Sequence, residues 1–193
     1  MRLVMASANP HKVEEISEIL VGYRIDERPK GLADVEENAE TLEGNAHLKA
    51  TAVCNFSGDA AVADDTGLEV DYLNGLPGVR SARFAGEDAT DIDNLMKLLK
   101  ALEGVPEDQR TARFRTVAMV VFPDKSVLRA QGVAEGFIAR LPRGEKGFGY
   151  DSIFIPVEGD GRSFAEMASE EKQLISHRGR AFRQLALSLS AKF

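Results

Sequence analysis

The sequence is poor in the residues that make staples and metal cages. Its 193 residues include one cysteine, Cys54, so no disulfide can close within the chain. Cys54 lies in a helix-like run with Ala50, Val53 and Phe56 and reads as a small core residue rather than a nucleophile. That usage fits a reducing compartment. Three histidines without a Cys/His spacing pattern argue against a zinc site. No apolar run approaches the ~20 residues of a membrane span. The short apolar start is ended by Ser7, Asn9, His11 and Lys12, unlike a secretory leader. A cytoplasmic protein with no membrane partner is therefore expected. Positive charge is also scarce: the formal net charge is −7, which excludes a whole-surface attraction to nucleic acid or acidic lipid. A small polyphosphate remains possible through a local basic cluster helped by a divalent ion, and a hard cation held by carboxylates suits this composition.

What is present suffices for a core without staples, since 44% of the residues are hydrophobic. Repeats, low-complexity tracts and long linkers are absent, so residues 1–193 read as one structural unit. Arg2 to Ala6 reads as a strand, and Asn9-Pro10 as an N-cap with a first-turn proline before a helix lined by Val13, Ile16 and Leu20. A second helix is expected from about Thr41 to Phe56, with Ala46, Val53 and Phe56 apolar. A short strand, Ala60 to Ala63, runs into Asp64-Asp65-Thr66-Gly67, and Leu68 to Tyr72 alternates like another strand. Thr90 to Leu102 is the clearest helix, capped by Thr90 and striped by Leu95, Leu98, Leu99 and Leu102. Arg113 to Phe122 reads as a long strand, Pro123 to Ser126 as its turn, and Val127 to Ile138 as one or two partner strands. Ile153 to Ile155 is a further strand, and the chain ends in a helix with Phe182, Leu185 and Leu189 inward. The consecutive middle strands favour a mixed α/β sheet over a regular doubly wound one.

Four stretches can carry chemistry. Ser7-Ala8-Asn9-Pro10-His11-Lys12 delivers a strand to a capped helix start, where backbone N–H groups and the helix dipole favour an anion and Lys12 can meet a phosphate. It also reads as an ordinary capped helix with a solvated lysine, and it lacks the glycines of a Walker loop. Asp64-Asp65-Thr66-Gly67 puts two carboxylates at the end of a buried strand, costly unless a cation or hydrogen bonds compensate them. Because strand neighbours point to opposite faces, only one aspartate need face a ligand; an acidic turn is the alternative. Glu36 and Glu37 form a second acidic pair in what otherwise reads as a solvated loop. Pro142-Arg143-Gly144-Glu145-Lys146-Gly147-Phe148-Gly149-Tyr150-Asp151 is a loop whose three glycines let backbone approach a ligand and an aromatic stack on a base, or else a long turn returning Phe148 and Tyr150 to the core. Lys172 accompanies Ser176-His177-Arg178, where Ser176 can cap the last helix and so puts His177 and Arg178 at its first turn, against its dipole unless an anion or acceptor lies there. These cations also read as surface residues.

The order and company of these segments are similar to those of the inosine triphosphate pyrophosphatase family. The resemblance is carried by Ser7-x-Asn9-x-x-Lys12, Thr41 with Asn45-Ala46 and Lys49-Ala50, Ala63-Asp64-Asp65-Thr66-Gly67-Leu68, Leu76-Pro77-Gly78 with Ser81-Ala82-Arg83, Gly147-Phe148-Gly149-Tyr150-Asp151, Ala165-Glu166-Met167, Lys172 and Ser176-His177-Arg178. Ser7 and Ala8 stand where the family more often has Thr and Gly or Ser, and Ser152 where it often has Pro. The resemblance implies an elongated, two-lobed mixed α/β fold with a central cleft, usually a homodimer. It implies hydrolysis of non-standard purine nucleoside triphosphates (ITP, dITP, XTP) to the monophosphate and pyrophosphate, with magnesium.

The implied roles follow residue by residue. Ser7, Ala8, Asn9, Pro10, His11 and Lys12 cradle the triphosphate. Glu37 and Asp65 hold magnesium, with Glu36 the alternative to Glu37, and Asp65 also activates the attacking water. Lys49, Thr66 and Lys172 help hold substrate. Phe148 stacks on the base within the loop that includes Gly149 and Tyr150, and Asp151, His177 and Arg178 read the base edge. A pyrophosphatase for modified pyrimidine nucleotides and a non-catalytic nucleotide sensor are the alternatives.

Overall fold

The computed structural model describes residues 1–192. The chain runs through β1 (Arg2–Met5), α1 (Pro10–Ile19), β2 (Arg24–Asp26), α2 (Leu42–Ser57), β3 (Ala61–Val70), β4 (Pro77–Gly78), α3 (Asp91–Ala101), β5 (Thr111–Val121), β6 (Val127–Ile138), β7 (Phe154–Pro156), α4 (Ser169–Ile175) and α5 (His177–Lys192). The strands form one sheet in the order β2-β1-β3-β5-β6-β7, with β4 beside β3. β1 pairs in parallel with β2 and β3, while β3–β4 and β6–β7 are antiparallel, so the sheet is mixed as expected. Contacts divide the chain into two units. The first holds Met1–Asp65, Thr116–Gly132 and the chain from Arg178 onward; the second holds Thr66–Arg115 and Val133–His177.

In the first unit, Asn9 caps α1 by accepting from His11 N at 3.0 Å and Lys12 N at 3.3 Å. Thr41 caps α2 by accepting from Gly44 N at 3.0 Å, and Gly58 ends that helix with φ +73°, a left-handed conformation that costs glycine little. Leu3, Met5 and Val62 of the sheet pack with Ile16 and Leu20 of the first helix and with Phe182, Leu185 and Leu189 of the last. Of the apolar positions read on α2, Ala46 and Val53 are buried together with Ala50 and Cys54, while Phe56 is 53% exposed.

In the second unit, Thr90 and Asp93 form a reciprocal capping box on α3 and bury Leu95, Leu98 and Leu102 beneath it. Phe154 stands at the centre of the core, with ring centroids 4.7 Å from Phe114 and 5.1 Å from Phe164. Val127–Ile138 is one long strand rather than two. Asp64-Asp65-Thr66-Gly67 is not a turn: β3 continues through it to Val70, and Asp71–Leu73 closes the segment as a 3-10 turn. β2 and α4 were not anticipated, being three and seven residues long.

Candidate active site

Two clusters of the expected residues form, one in each unit. In the first unit, the alternation of β3 separates its two aspartates. Val62 and Asp64 share the side facing α1 and α5, and Asp65 takes the other, facing α2. Asp64, with a fully buried side chain, meets Lys12 Nζ at 3.1 Å and the Arg178 guanidinium at 3.4 Å. Arg178, only 2% exposed, also donates to Glu15 Oε2 at 2.6 Å. Asp65 accepts from Asn45 Nδ2 at 3.3 Å and from Lys49 Nζ at 3.1 Å. The same ammonium lies 3.2 Å from Glu37 Oε1. Glu36 is exposed, which leaves Glu37 as the acidic neighbour of Asp65.

The neighbouring carboxylates are held in opposite electrostatic states. Burial works to raise the Asp64 carboxyl, but Lys12, Arg178 and Lys49 outweigh it and hold it well below the usual carboxylate range. Asp65 is pushed above that range, first by burial and further by Glu37; Lys49 and Lys12 oppose the shift without reversing it. One cation explains both ends of this contact. Lys49 is surrounded by Asp65, Asp64 and Glu37, which together outweigh its own burial and raise it, while its single charge is divided among three carboxylates. Lys12 is lowered, chiefly by burial.

Asp64 therefore has a stabilising role that its neighbour lacks. Asp64→Asn removes the carboxylate that Lys12 and Arg178 share, leaving Arg178 with Glu15, and breaking such a buried ion pair typically costs ~3–5 kcal/mol. Since the folded-state pKa of Asp64 is depressed, its contribution is complete above the ordinary carboxylate value of about 3.9 and disappears as pH falls through the depressed one. Denaturant titrations of both proteins at neutral pH, and again below pH ~4, should show a large gap that closes on acidification. Equal stabilities at neutral pH would make the Lys12–Asp64–Arg178 cluster energetically idle.

The Ser7–Lys12 segment is used differently from the expectation in one respect. The backbone N–H groups of His11 and Lys12 already donate to Asn9 Oδ1, and Asn9 N donates to Ser7 Oγ at 3.2 Å. The cap itself consumes donors that were expected to face an anion, which leaves the Lys12 ammonium as the segment's main cation. Ala8, Pro10 and His11 are exposed around it.

The second cluster belongs to the loop after β6. Asp151 Oδ2 accepts from Phe148 N at 3.0 Å and from Lys172 Nζ at 2.8 Å, and the Lys172 ammonium sits 5.2 Å from the centre of the Phe148 ring. Gly147 has φ +71°, and a Cβ there would lie 2.2 Å from Asp151 Oδ2, so only glycine admits this carboxylate. Gly149 N donates to Asp91 Oδ2 at 2.9 Å. Tyr150 is buried and donates its phenol to Ser81 O at 2.8 Å, an anchoring role within its own unit. His177 is buried and stacks on Phe114 with centroids 4.4 Å apart. Thr66, half-buried on β3, is the first residue of this unit.

Glu15, Asn45 and Asp91 touch expected site residues without having been assigned a role. Asn45 and Lys49 are four apart on one helix, a spacing that puts both on the face meeting Asp65. Nothing local in the sequence joins Glu15 to Arg178 or Asp91 to Gly149. Among the described residues no group of three or more His, Cys, Asp or Glu side chains is arranged to hold an ion without help. Glu37 and Asp65, close enough to share one ammonium, fit an ion that draws its remaining ligands from water and substrate.

Residues 3–187 match the Ham1 family. The chain is 49% identical over 189 residues to a dITP/XTP pyrophosphatase of Desulforamulus reducens, covering 95% of this chain and 93% of that one. It is 44% identical over 196 residues to a dITP/XTP pyrophosphatase of Bacillus subtilis, covering 97% and 96%. Among solved structures it is similar to a HAM1 protein from Coxiella burnetii, with TM-score 0.89, 39% identity and 99% of both chains covered. The Staphylococcus aureus Ham1 protein aligns with TM-score 0.88 and 37% identity over 100% of both chains.

Proposed function

The chain belongs to the Ham1 family, and on that premise we propose that it hydrolyses non-standard purine nucleoside triphosphates, namely ITP, dITP and XTP, to the nucleoside monophosphate and pyrophosphate. The observation that carries this reading is the nearly full-length similarity to relatives named dITP/XTP pyrophosphatase. Asp65, buried and within reach of Lys49, Asn45 and Glu37, is the proposed group that takes a proton from water. As that proton moves to Asp65, the water oxygen bonds to the α-phosphorus. The bond from that phosphorus to the α–β bridging oxygen breaks, and pyrophosphate leaves with the electron pair.

Lys12 and Lys49 are the proposed partners of the phosphates, with Ser7 and the α1 cap shaping the turn beside them. Glu37 and Asp65 are the proposed magnesium ligands; magnesium there would offset the charge of the triphosphate and of the leaving pyrophosphate. In the second unit Phe148 is the proposed stacking platform for the base, and Thr66 and Lys172 hold substrate. Asp151, His177 and Arg178 are the proposed readers of the base edge. Glu15 and Asp64 fix the orientation of the Arg178 guanidinium.

The decisive test is a pyrophosphate-release assay across inosine, xanthosine, adenosine, guanosine and modified pyrimidine triphosphates, with and without magnesium. Preference for modified pyrimidines, or tight binding without turnover, would replace this reading. A symmetric homodimer in the cytoplasm completes the proposal. No helix among the described residues is long and apolar enough to cross a membrane. Light scattering at micromolar protein should give twice the chain mass of 21.0 kDa; the single-chain mass would remove the dimer.

A further inference from the structure

The base platform is fixed from a helix distant in sequence. Two peptide N–H groups flank the Cα of Phe148: its own, and that of Gly149. Each donates to a carboxylate. Phe148 N reaches Asp151 Oδ2 at 3.0 Å, within the loop, and Gly149 N reaches Asp91 Oδ2 at 2.9 Å, on the first turn of α3. With both neighbouring peptide planes pinned, the backbone that aims the ring loses its main freedom. The loop needs such pins, because Gly147 and Gly149 both sit at positive φ, +71° and +59°, where glycine is least restrained by sterics.

Asp91 is available for this contact because the cap of α3 does not use it. Thr90 and Asp93 satisfy each other reciprocally, with Asp93 N donating to Thr90 Oγ1 at 3.2 Å and Thr90 N to Asp93 Oδ2 at 2.9 Å. The remaining acid of the first turn points its carboxylate to the loop. The helix in turn is anchored by the core residues Leu95 and Leu98, so the carboxylate is carried by a rigid element. Hydrogen bonds to an ionised acceptor are about twice as strong as neutral ones.

We infer that Asp91 is a positioning residue for nucleobase binding: through Gly149 N–H it holds the peptide that orients Phe148, and it touches no reacting atom. This rests on the proposed role of Phe148 as base platform.

The test compares Asp91→Ala, Asp91→Asn, Phe148→Ala and the Asp91→Ala/Phe148→Ala double variant with ITP. Asp91→Ala should raise KM by about tenfold with kcat nearly unchanged, the scale of one lost charge-assisted hydrogen bond. Asp91→Asn keeps an acceptor oxygen and should recover most of the loss. In the Phe148→Ala background, Asp91→Ala should add almost nothing, whereas a general loss of stability would add in full. Inhibition by inorganic triphosphate, which has no base, should be the same in Asp91→Ala and wild type. Amide exchange at Gly149, followed without nucleotide, should speed up in Asp91→Ala and not in Asp91→Asn.

The outcomes separate two failures. If wild type does not hydrolyse ITP, the proposed function falls, and Gly149 exchange still reports on the Asp91 contact. If Phe148→Ala raises KM and Asp91→Ala does not, the positioning role alone is overturned. It is equally overturned by unchanged Gly149 exchange, by additive effects in the double variant, or by Asp91→Asn as damaging as Asp91→Ala.

Discussion

Asp65→Asn is expected to lower turnover of inosine triphosphate at least ~10²-fold, the usual scale for loss of a general base, while leaving the protein folded and no less stable than wild type. The two halves of that expectation have one cause. Asp65 lies buried and next to Glu37, with which it shares the Lys49 ammonium; burial first, and Glu37 after it, raise its carboxyl above the ordinary range against the pull of Lys49 and Lys12. A carboxylate raised on folding holds its proton more tightly in the folded state than in the unfolded one. As pH rises past the unfolded value of about 3.9, it therefore costs stability rather than adding it. An isosteric amide removes that cost. It keeps a carbonyl oxygen for Lys49 and Asn45, and Lys49 retains Glu37. Asp64→Asn, one residue away, has the opposite sign, because Asp64 is lowered on folding by Lys12 and Arg178. Two isosteric changes at adjacent positions should thus split cleanly: one inactive and stable, the other unstable. Steady-state turnover at saturating magnesium together with denaturant midpoints measures both. Near-normal turnover by Asp65→Asn would remove Asp65 as base and ligand. A stability loss matching that of Asp64→Asn would mean that both aspartates serve the fold.

The division of labour between these aspartates was half legible in the sequence. Strand alternation puts them on opposite faces, and two adjacent carboxylates at the end of a buried strand call for cations or hydrogen bonds. Which cations could not be read, because Lys12, Lys49 and Arg178 come from three different helices. For the same reason the segment looked like a turn: its acids and glycine have poor strand propensity, and tertiary partners override that. Caps were legible wherever donor and acceptor lie within four residues, as at Asn9 and Thr90. The same locality hid a cost, since the Asn9 cap takes the N–H groups of His11 and Lys12 that a phosphate might have used. Apolar character alone does not say which side of a helix is buried: Ala46 and Val53 of α2 are, and Phe56 is not. Glu15 and Asp91 were invisible as site residues. Each makes a long-range contact, Glu15 with Arg178 and Asp91 with Gly149, that no local pattern announces.

Inosine and xanthosine triphosphates are expected to exceed adenosine triphosphate in kcat/KM by ~10⁴, the discrimination open to a site that hydrogen-bonds a substrate group its competitor lacks. Hypoxanthine and xanthine present an acceptor oxygen at position 6, and adenine presents an amine. Stacking on Phe148 cannot tell them apart, because every base has a π-face. A donor-only group can, and Arg178 is one that is permanently charged. Its side chain is almost fully buried, with Glu15 at 2.6 Å and Asp64 at 3.4 Å fixing the plane of the guanidinium. In the proposed arrangement a donor held by Asp64 and Glu15 cannot turn away from an amine, so the wrong base would leave it facing another donor. Guanine shares the position-6 oxygen and must be rejected at its 2-amino group, for which this arrangement offers no donor–acceptor conflict, so weaker discrimination is expected there. Arg178→Ala also removes a counter-charge from Asp64, and every substrate should suffer. The informative quantity is therefore the ratio of inosine to adenosine triphosphate efficiency. It should flatten in Arg178→Ala and survive in Lys12→Ala, where one phosphate contact worth about 1.5–3 kcal/mol is lost equally by all triphosphates. If both variants lowered every substrate in parallel, Arg178 would belong with Lys12 in phosphate binding, and the base-reading role proposed for it would be wrong.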